Sequence, residues 1–401
     1  MQDILIIANF CRDFSENDNG RFMYLCKELS KENNVEIITS DFIHGKNEHK
    51  KPLDIQWPFK ITFLHEPGYP KNVCLKRFYS HWVWGNNVKK YLKTRKKPDV
   101  IYCAIPSLSA PLVAGKYCKK NGVKFIIDVQ DLWPEAFKMV FHVPIVSSII
   151  FAPFNWRANA IYKLADEVVA VSNTYVNRVL SVNKKCKKGH VVFLGTKLET
   201  FDKGVKSGPL FKKPNDEIWV GYCGSLTDSY DIPNLILAVK ELKDRGIQGV
   251  KLIVMGDGIR RQEFEEKAKN ERLEVVFTGR LQYDTMCAQI KECDIVVNPI
   301  KSGSAASIIN KHADYAASGL PVVNSQDSIE YRNLVEDYRM GLNCNNEDAH
   351  DIALKLEKLI TDENMRVEMG KNARCCAEEK FDRKHSYREI LSLILQENNK
   401  K

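Results

Sequence analysis

The sequence predicts an α/β protein with two doubly wound, Rossmann-like domains in series. Short apolar runs rich in β-branched residues alternate with helical patterns along most of the chain. This alternation breaks once, at residues 202–216, which are rich in glycine, proline and lysine. The length of 401 residues suits two domains of ordinary size. Strand–helix–strand alternation favours parallel sheets with helices on both faces, so we expect two such domains facing a central cleft.

The first predicted domain covers residues 1–201. Its strands are predicted at residues 4–8, 35–39, 100–104, 125–129, 167–171 and 191–194. Helical patterns occupy residues 20–31, 108–121 and 173–180.

The second predicted domain covers residues 217–380, after a linker at 202–216. Its strands are predicted at residues 218–223, 251–255, 275–278, 295–299 and 321–324. Helices are predicted at 232–245 and 260–270. A last helix at 381–396 belongs to a terminal segment, 381–401, which we expect to cross back onto the first domain.

The composition is that of a globular protein with an uneven charge. Apolar residues make up 44% and charged residues 28%, which excludes a disordered chain and a small disulfide scaffold. Residues 1–200 carry 30 lysines and arginines against 18 acidic residues, whereas the rest carries 30 against 33. The basic first half suits an anionic partner or surface. No nucleic-acid-binding module is recognisable, so we expect no nucleic-acid partner.

The twelve cysteines show no C-x-x-C spacing, and several lie in apolar runs. Reduced, buried thiols in a cytoplasmic protein are therefore expected. The first residues resemble a strand rather than a signal peptide, and no apolar run is long enough to span a bilayer. The apolar run at 139–154 has two interpretations: a buried or interdomain helix, or an amphipathic segment dipping into a membrane surface.

In doubly wound sheets, ligands bind in the loops after the strands. Gly224 and Ser225 follow the strand at 218–223, and a glycine there lets the backbone approach a phosphate. A G-x-G-x-x-G fingerprint is missing, and a turn alone would explain the glycines at 256 and 258. Arg280, after the strand at 275–278, would contact a base or phosphate, or else be a solvated surface arginine.

The most informative stretch is 302–323. Small polar residues form a loop, Ser307 is predicted to cap a helix, and Gly319 is predicted to end it. Lys311 and Asp314 then share one face of the helix. In one interpretation, the lysine and the helix N–H groups hold a diphosphate, while the carboxylate accepts hydrogen bonds from ribose hydroxyls. In the other, the two residues form a surface ion pair.

The first domain offers two further loops. The polar loop at 9–22 ends at a helix start and would contact a second substrate. Asp131 follows the strand at 125–129, so it is a candidate catalytic or positioning carboxylate, with a turn cap as the alternative.

Six segments in this order resemble the family-four glycosyltransferases of the GT-B fold, in particular those of bacterial surface-polysaccharide synthesis. They are QDLWPE at 130–135, ADEVVAVS at 165–172, YCGSL at 222–226, VMGDG at 254–258, FTGR at 277–280 and NKHADYAASGLPVV at 310–323.

The resemblance implies a nucleotide-sugar donor, expected to be a UDP-sugar, in the second domain and a glycan acceptor on the first. It also implies a metal-independent, retaining transfer without a cofactor, in capsule or O-antigen synthesis. The donor-binding residues would be Gly224, Ser225, Arg280, Ser307, Asn310, Lys311 and Asp314. The acceptor-binding residues would be Asn19, Gly20 and Trp133, with Asp131 as the catalytic residue.

The chain also departs from the family pattern. The family has two glutamates eight positions apart; Asp314 fits the second, but Ala306 occupies the position of the first. Lys311 is our candidate for replacing the basic residues that the family places in its glycine loop. No Asp-x-Asp pair occurs, which agrees with a metal-free diphosphate site.

Acceptors in this branch are polyprenyl-diphosphate-linked glycans at the inner membrane face. The basic first half, the lysines at 89–97, Trp82, Trp84 and the run at 139–154 would together bind that face as a peripheral protein.

Three functions remain open. The leading hypothesis is a hexosyltransferase that moves a sugar from a nucleotide diphosphate to a lipid-linked or glycan hydroxyl. The alternatives are a nucleotide-sugar epimerase of the same fold and a non-catalytic binding or assembly subunit.

Overall fold

Every strand pairing in the two large sheets of this protein is parallel. The structure is a computed structural model, and it describes residues 1–11, 14–15, 20–44, 48–51, 55–71, 74–135, 144–304 and 308–395. These residues form two units, Met1–Val192 with Tyr387–Lys401, and Phe193–Ser386.

The first unit holds a seven-stranded sheet in the order β5-β2-β1-β6-β7-β8-β9. Its strands are β1 (Asp3–Ala8), β2 (Asn34–Ser40), β5 (Lys60–Leu64), β6 (Val100–Ile105), β7 (Lys124–Val129), β8 (Glu167–Ala170) and β9 (His190–Val191). Two short strands, β3 (Phe42–Ile43) and β4 (Glu48–His49), form a separate antiparallel pair. The helices are α1 (Arg21–Leu29), α2 (Leu75–Thr94), α3 (Ser109–Asn121), α4 (Pro144–Leu164), α5 (Asn173–Leu180) and α15 (Arg388–Leu395).

The second unit holds a six-stranded sheet in the order β12-β11-β10-β13-β14-β15. Its strands are β10 (Ile218–Cys223), β11 (Val250–Met255), β12 (Val275–Gly279), β13 (Ile295–Asn298), β14 (Val322–Asn324) and β15 (Gly341–Asn343). The helices are α6 (Leu198–Val205), α7 (Ile232–Asp244), α8 (Arg261–Asn270), α9 (Tyr283–Lys291), α10 (Asn310–Ser318), α11 (Ile329–Asp337), α12 (Ala349–Thr361), α13 (Glu363–Cys376) and α14 (Arg383–Ser386).

Side-chain alternation explains why the second sheet is covered on both faces. Trp219 and Ile253 belong to one buried cluster, whereas their strand neighbours Val220 and Val254 belong to another. Because successive residues of a strand point to opposite faces, each strand contributes to both hydrophobic clusters. Continuous apolar runs, rather than alternating ones, are therefore typical of such a sheet, and they made five of its six strands predictable; the edge strand β15 was not predicted.

The terminal segment completes the first unit. Ile390 and Ile394 of α15 are fully buried in that unit's core. Just before the helix, the hydroxyl of Tyr387 accepts a hydrogen bond from Arg21 Nε at 2.9 Å. The guanidinium of Arg21 also pairs with Asp128 at 2.6 Å, so a buried polar network ties the segment to α1 and β7.

The strands at both sheet centres lie where they were predicted, but several predicted boundaries differ. The two units divide after Val192 rather than at 201, and the predicted linker begins inside α6, which continues to Val205. The predicted helix at 381–396 is interrupted: a π-helical turn ends at Phe381, and α14 and α15 follow as separate helices. The predicted strand at 191–194 is displaced to β9.

The apolar run at 139–154 is helical from Pro144, and residues 139–143 lie outside the described residues. The helix α4 continues to Leu164, ten residues beyond the predicted run. Across the described ranges, no helix combines the length and apolar character that crossing a bilayer requires.

Candidate active site

The strand order of the second unit reverses between β10 and β13, which are hydrogen-bonded neighbours at the sheet centre. In a doubly wound sheet, the loops after two such strands diverge and leave room for a ligand. Gly224 and Ser225 follow β10, and α10 begins after β13. The hydroxyl of Tyr315 accepts a hydrogen bond from Cys223 N at 2.9 Å and donates one to Val297 O at 3.0 Å, which fixes α10 over this point.

The loop after β10 packs backbone to backbone against the loop after β11. Leu226 N donates to Asp257 O at 2.9 Å, and Gly224 N donates to Met255 O at 3.0 Å. A Cβ at Gly256 would lie 1.8 Å from Gly224 O, and one at Gly258 would lie 2.2 Å from Leu226 O. The glycines at 256 and 258 are therefore required by this close approach, which is more than the simple turn considered above.

Lys311 lies in the first turn of α10 and extends beneath the loop after β10. A Cβ at Gly224 would lie 3.2 Å from Lys311 Nζ, so the glycine backbone and the ammonium are in direct proximity. The ammonium lies 3.9 Å from the centroid of the Tyr230 ring and 4.5 Å from that of Tyr222. The structure thus brings Gly224 and Lys311 together, as predicted.

The Lys311 ammonium is buried without an anionic partner. The residue is 9% exposed, and within the described part of the chain Nζ has no hydrogen-bond partner. Burial lowers the pKa of this amine to about 7. The surface ion pair with Asp314, the alternative left open above, is therefore not formed. A buried cation that lies against ring faces, and that has no anionic partner among the described residues, provides a place for an anion.

Asp314 lies one helical turn after Lys311 and is held by hydroxyl groups. Its Oδ1 accepts a hydrogen bond from Tyr283 at 2.8 Å, and the Tyr283 hydroxyl lies 2.9 Å from Thr196 Oγ1. Burial raises the pKa of this carboxyl to about 6, while the hydrogen bonds from Tyr283 and Thr196 oppose that rise. A carboxylate with one oxygen engaged still has lone pairs for two sugar hydroxyls.

The other predicted donor residues are exposed or lie outside the described residues. Ser225 and Asn310 are exposed, and the Ser225 carbonyl accepts a hydrogen bond from Tyr222 at 2.7 Å. Arg280 is exposed after β12, the edge strand of the sheet, two strands from β10. Ser307 and Ala306 lie outside the described residues. The helix α10 ends at Gly319 in the left-handed conformation, as predicted.

The sequence reasoning missed the tyrosines of this site. Tyr222 and Tyr230 surround the Lys311 ammonium, and Tyr283 holds Asp314. The available signal was position alone: Tyr222 is the penultimate residue of β10, and Tyr283 begins the helix after the FTGR segment.

A second polar cluster lies at the carboxyl ends of the strands in the first unit. Trp133 Nε1 donates to Asp131 Oδ2 at 3.1 Å, so these two predicted residues are in contact. Burial raises the pKa of Asp131, and the Arg77 guanidinium opposes that rise.

Arg77 is the centre of this cluster, which we call the Arg77 cluster and define as Phe10, Tyr69, Arg77, His81 and Trp133. The guanidinium carbon lies 4.6 Å from the Trp133 ring centroid, 5.4 Å from that of Tyr69 and 5.5 Å from that of Phe10. The His81 ring stacks on Trp133 at 5.5 Å. Burial lowers the pKa of His81 to about 3, so the imidazole is neutral. Aromatic faces beside a carboxylate and a guanidinium suit the apolar and polar sides of a sugar.

The remaining first-unit predictions have mixed outcomes. Gly20 directly precedes α1, and its carbonyl accepts the first helical hydrogen bond from Tyr24. Asn19 lies outside the described residues. Trp84, expected at a membrane surface, is 1% exposed and therefore belongs to the interior, whereas Trp82 is 52% exposed.

Two family models match the chain and together cover most of it. The model described as Glycosyltransferase Family 4 matches residues 21–200, and the model described as Glycosyl transferases group 1 matches residues 210–375. The gap between the two matches, residues 201–209, lies a few residues after the division of the structure at Val192.

Two relatives have curated names. One is an uncharacterized glycosyltransferase of Methanocaldococcus jannaschii, 25% identical over 235 residues, which are 58% of this chain and 59% of that protein. The other is a GalNAc-α-(1→4)-GalNAc-α-(1→3)-diNAcBac-PP-undecaprenol α-1,4-N-acetyl-D-galactosaminyltransferase of Campylobacter jejuni. It is 25% identical over 386 residues, and the match covers 94% of each chain.

Solved structures share the fold over nearly the whole chain. Sucrose-phosphate synthase from Thermosynechococcus elongatus superimposes with a TM-score of 0.75 at 17% identity, covering 99% of each chain. Anabaena HepE in complex with UDP gives a TM-score of 0.70 at 15% identity, covering 98% of this chain and all of that one. The predicted fold class and the predicted enzyme class are thus confirmed, and the chain belongs to the family-four glycosyltransferases of the GT-B fold.

Proposed function

We propose that this protein transfers a sugar from a UDP-sugar to a hydroxyl of a lipid-linked or glycan acceptor. The observation that carries the proposal is Lys311: a buried ammonium without an anionic partner, next to the Gly224 backbone at the strand-order reversal of the second unit. A diphosphate supplies the missing negative charge.

On the donor side, the residues divide the nucleotide between them. Lys311, the backbone around Gly224 and Ser225, and the N-terminus of α10 with Asn310 hold the diphosphate, because N–H groups and an ammonium favour phosphate oxygens. Asp314 accepts hydrogen bonds from the ribose hydroxyls while Tyr283 fixes its orientation. Arg280 contacts the nucleotide, and Ser307 belongs to the same site. The complex of Anabaena HepE with UDP, a protein of the same fold, supports UDP as the nucleotide.

The proposed chemistry follows from the leaving group, which is a nucleoside diphosphate. Breaking the bond between the anomeric carbon and the diphosphate builds negative charge on the leaving phosphate, and a preorganised cation lowers the energy of that state. Lys311 performs this role without a metal ion. The C. jejuni relative is named for an α-linked product, and an α-linkage is what retention gives from an α-configured nucleotide sugar.

On the acceptor side, Asp131 and Trp133 bind the hydroxyl-bearing sugar beside the Arg77 cluster, with the loop at Asn19 and Gly20 contributing further contacts. The raised pKa of Asp131 suits a group that exchanges a proton or orients a hydroxyl. The named substrate of the C. jejuni relative, a glycan on undecaprenyl diphosphate, supports a lipid-linked acceptor.

A lipid-linked acceptor also calls for contact with the inner membrane face. Leu75, Tyr79 and Trp82 are exposed along one face of α2, and Trp156 on α4 is 71% exposed. The rings of Phe78 and Phe154, 4.8 Å apart, hold these two helices together. Exposed lysines follow on α2 and beyond it: Lys76, Lys89, Lys90, Lys93, Lys96 and Lys97. Interfacial aromatic residues with nearby lysines favour an anionic leaflet.

The donor assignment is tested by titrating UDP and UDP-sugars into the protein. Lys311→Ala and Asp314→Ala should each weaken binding at least tenfold, about 1.4 kcal/mol. Lys291→Ala is the control, because Lys291 is an exposed lysine of the same unit whose ammonium already donates to Ser318 O at 2.6 Å. Unchanged affinity in both site variants would remove the assignment.

Turnover with membrane extract separates the function from its alternatives. A transferase forms a glycosylated lipid-linked or glycan product, and Asp131→Asn should lower that rate at least tenfold with UDP affinity unchanged. An epimerized sugar formed without acceptor would instead identify an epimerase. Tight UDP-sugar binding with no product would identify a non-catalytic subunit.

The membrane contact is tested by cosedimentation with vesicles. Binding should require anionic lipid, and Trp82→Ala with Tyr79→Ala should weaken it severalfold. Trp219→Phe, a buried change in the second unit, is the control. Equal binding to neutral vesicles would contradict the proposal.

A further inference from the structure

Three side chains of metal-ligating type, none of them assigned a role above, converge in the first unit. His65 Nδ1 lies 3.0 Å from Asp41 Oδ2, and His49 Nδ1 lies 3.3 Å from Asp41 Oδ1. One ligand atom from each residue lies within 4.8 Å of the other two. The two imidazole rings stack at 5.4 Å, and both turn the same ring nitrogen toward the carboxylate.

Strand register creates this convergence. Ser40 and Leu64 are paired at the ends of the parallel strands β2 and β5, so the next residues, Asp41 and His65, leave the sheet side by side. Asp41 N donates to Leu64 O at 3.1 Å, which fixes that exit. His49 enters from the antiparallel pair, where it is opposite Phe42, the neighbour of Asp41. The three positions are thus set by backbone hydrogen bonds rather than by flexible side chains.

The carboxylate is also oriented by its surroundings. Asp41 Oδ1 accepts a hydrogen bond from Glu66 N at 2.8 Å, and the Asp41 carbonyl accepts one from Lys50 N at 2.6 Å. The backbone of His65 is held by Asn87, whose side-chain amide donates to the His65 carbonyl at 2.9 Å. Such outer contacts are what hold metal ligands in place.

We propose that Asp41, His49 and His65 bind one zinc ion, with water at the fourth position. Two imidazole nitrogens and a carboxylate oxygen are zinc ligands, and three protein ligands leave one tetrahedral position open. Zinc–ligand bonds of 2.0–2.2 Å at tetrahedral angles separate the ligand atoms by about 3.3 Å. The two nitrogen–oxygen distances, one to each oxygen of the Asp41 carboxylate, are close to this size. Magnesium and calcium, which prefer sets of oxygen ligands, fit this donor set less well.

The ion would fasten the β3–β4 pair to the end of β5. That pair packs onto the neighbouring chain: the Phe42 ring lies 5.1 Å from the Tyr69 ring, and His44 Nδ1 is hydrogen-bonded to the Tyr69 hydroxyl at 2.5 Å. A Cβ at Gly68 would lie 2.4 Å from the Phe42 ring, so this packing leaves no space. Because Tyr69 belongs to the Arg77 cluster, zinc would brace one side of that cluster.

The test is a zinc titration of tag-free, chelator-washed protein by calorimetry. One zinc ion should bind per chain, Mg²⁺ should not compete, and Co²⁺ should give the visible absorption of a tetrahedral site. His49→Ala and His65→Ala should each weaken zinc binding at least tenfold. Both side chains are largely exposed, 45% and 62%, so the fold should tolerate these changes.

One control and one further site variant make the outcome decisive. His350→Ala removes an exposed histidine that lies 2.7 Å from Glu241 outside any such three-ligand group among the described residues, and it should leave zinc binding unchanged. Asp41→Asn keeps an oxygen for the Glu66 N–H but removes the charge, and it should behave like the histidine variants. Absence of saturable zinc binding, or wild-type affinity in all three site variants, would overturn the proposal. UDP affinity measured in the same samples should not change.

Discussion

Two buried cations, one in each unit, have opposite surroundings. Arg21 in the first unit is 4% exposed and fully engaged: it pairs with Asp128 and donates to Tyr387 and to the carbonyl of Val192. Lys311 in the second unit is 9% exposed, lies against two aromatic rings, and has no hydrogen-bond partner for Nζ among the described residues. A satisfied buried charge specifies structure, whereas an unsatisfied one costs folding free energy and is retained for a ligand.

The largest expected effect is the loss of the satisfied cation. Arg21→Met leaves the Asp128 carboxylate buried without its cation, although Gln130 still donates to it, so the free energy of unfolding should fall by about 3–5 kcal/mol. Urea denaturation measures this change. Arg245→Met is the control, because Arg245 forms surface pairs with Glu241 and Glu357 and should matter by about 1 kcal/mol or less. An equal loss of unfolding free energy in the two variants would contradict the distinction between a buried, fully engaged cation and a surface one.

The unsatisfied cation should respond in the opposite direction. Lys311→Met replaces a buried charge with an apolar chain, so the unliganded protein should become more stable by about 1–4 kcal/mol. The same variant should bind UDP at least tenfold more weakly. Thermal melts with and without UDP measure both effects, since a ligand raises the melting temperature only where it binds. Destabilization of the unliganded variant would mean that Lys311 is structural.

The titration of the donor site gives a third contrast. Lys311 has a pKa of about 7 in the free protein, and an adjacent diphosphate raises it, so binding takes up a proton above pH 7. Asp314, with a pKa of about 6, is mostly protonated below pH 6. It must then lose that proton before the carboxylate can accept hydrogen bonds from the ribose hydroxyls. Affinity for UDP-glucose should therefore peak between about pH 6 and 7 and fall by up to about tenfold per unit on either side.

Two variants assign the two limbs of that profile. Asp314→Asn should remove the acid limb, and Lys311→Met should remove the alkaline one. Isothermal titration from pH 5 to 8.5 is the measurement. A flat profile in the wild-type protein would rule out both assignments.

The smallest expected effect concerns the rings around Lys311. Tyr230→Leu removes the nearer aromatic face, which stabilizes the ammonium by about 0.5–2 kcal/mol. The alkaline limb of the UDP-glucose profile should then move to lower pH by up to about 1.5 units. Tyr230→Phe keeps the ring face and should leave the limb in place. A shift of the same size in both variants would assign it to the hydroxyl instead.

The central strands of both sheets could be predicted from sequence because they are buried on two faces and therefore read as continuous apolar runs. β5 was missed since it is an edge strand with half-buried residues and a lysine at its start. α2 was missed for two reasons. It has no side-chain cap, since it starts after Cys74, and its own aromatic and basic residues are spread over several of its faces.

The donor site could be predicted only in part. The spacing of Lys311 and Asp314 indicated one helix face, but it could not separate a surface pair from a buried site. What decides between them is Tyr222, Tyr230 and Tyr283, which approach from other loops. Such contacts depend on tertiary packing and leave no periodic signal in the sequence. The same holds for Arg77, which reaches Asp131 from a helix that was not predicted.

The terminal segment has a consequence for synthesis of the chain. The core of the first unit includes Tyr387, Ile390 and Ile394, whereas the second unit is complete at Ser386. On the ribosome, the first unit is translated first, but its interior therefore cannot close until the segment that carries α15 has also emerged. During that interval, the hydrophobic groove that later receives α15 is open to water and to chaperones.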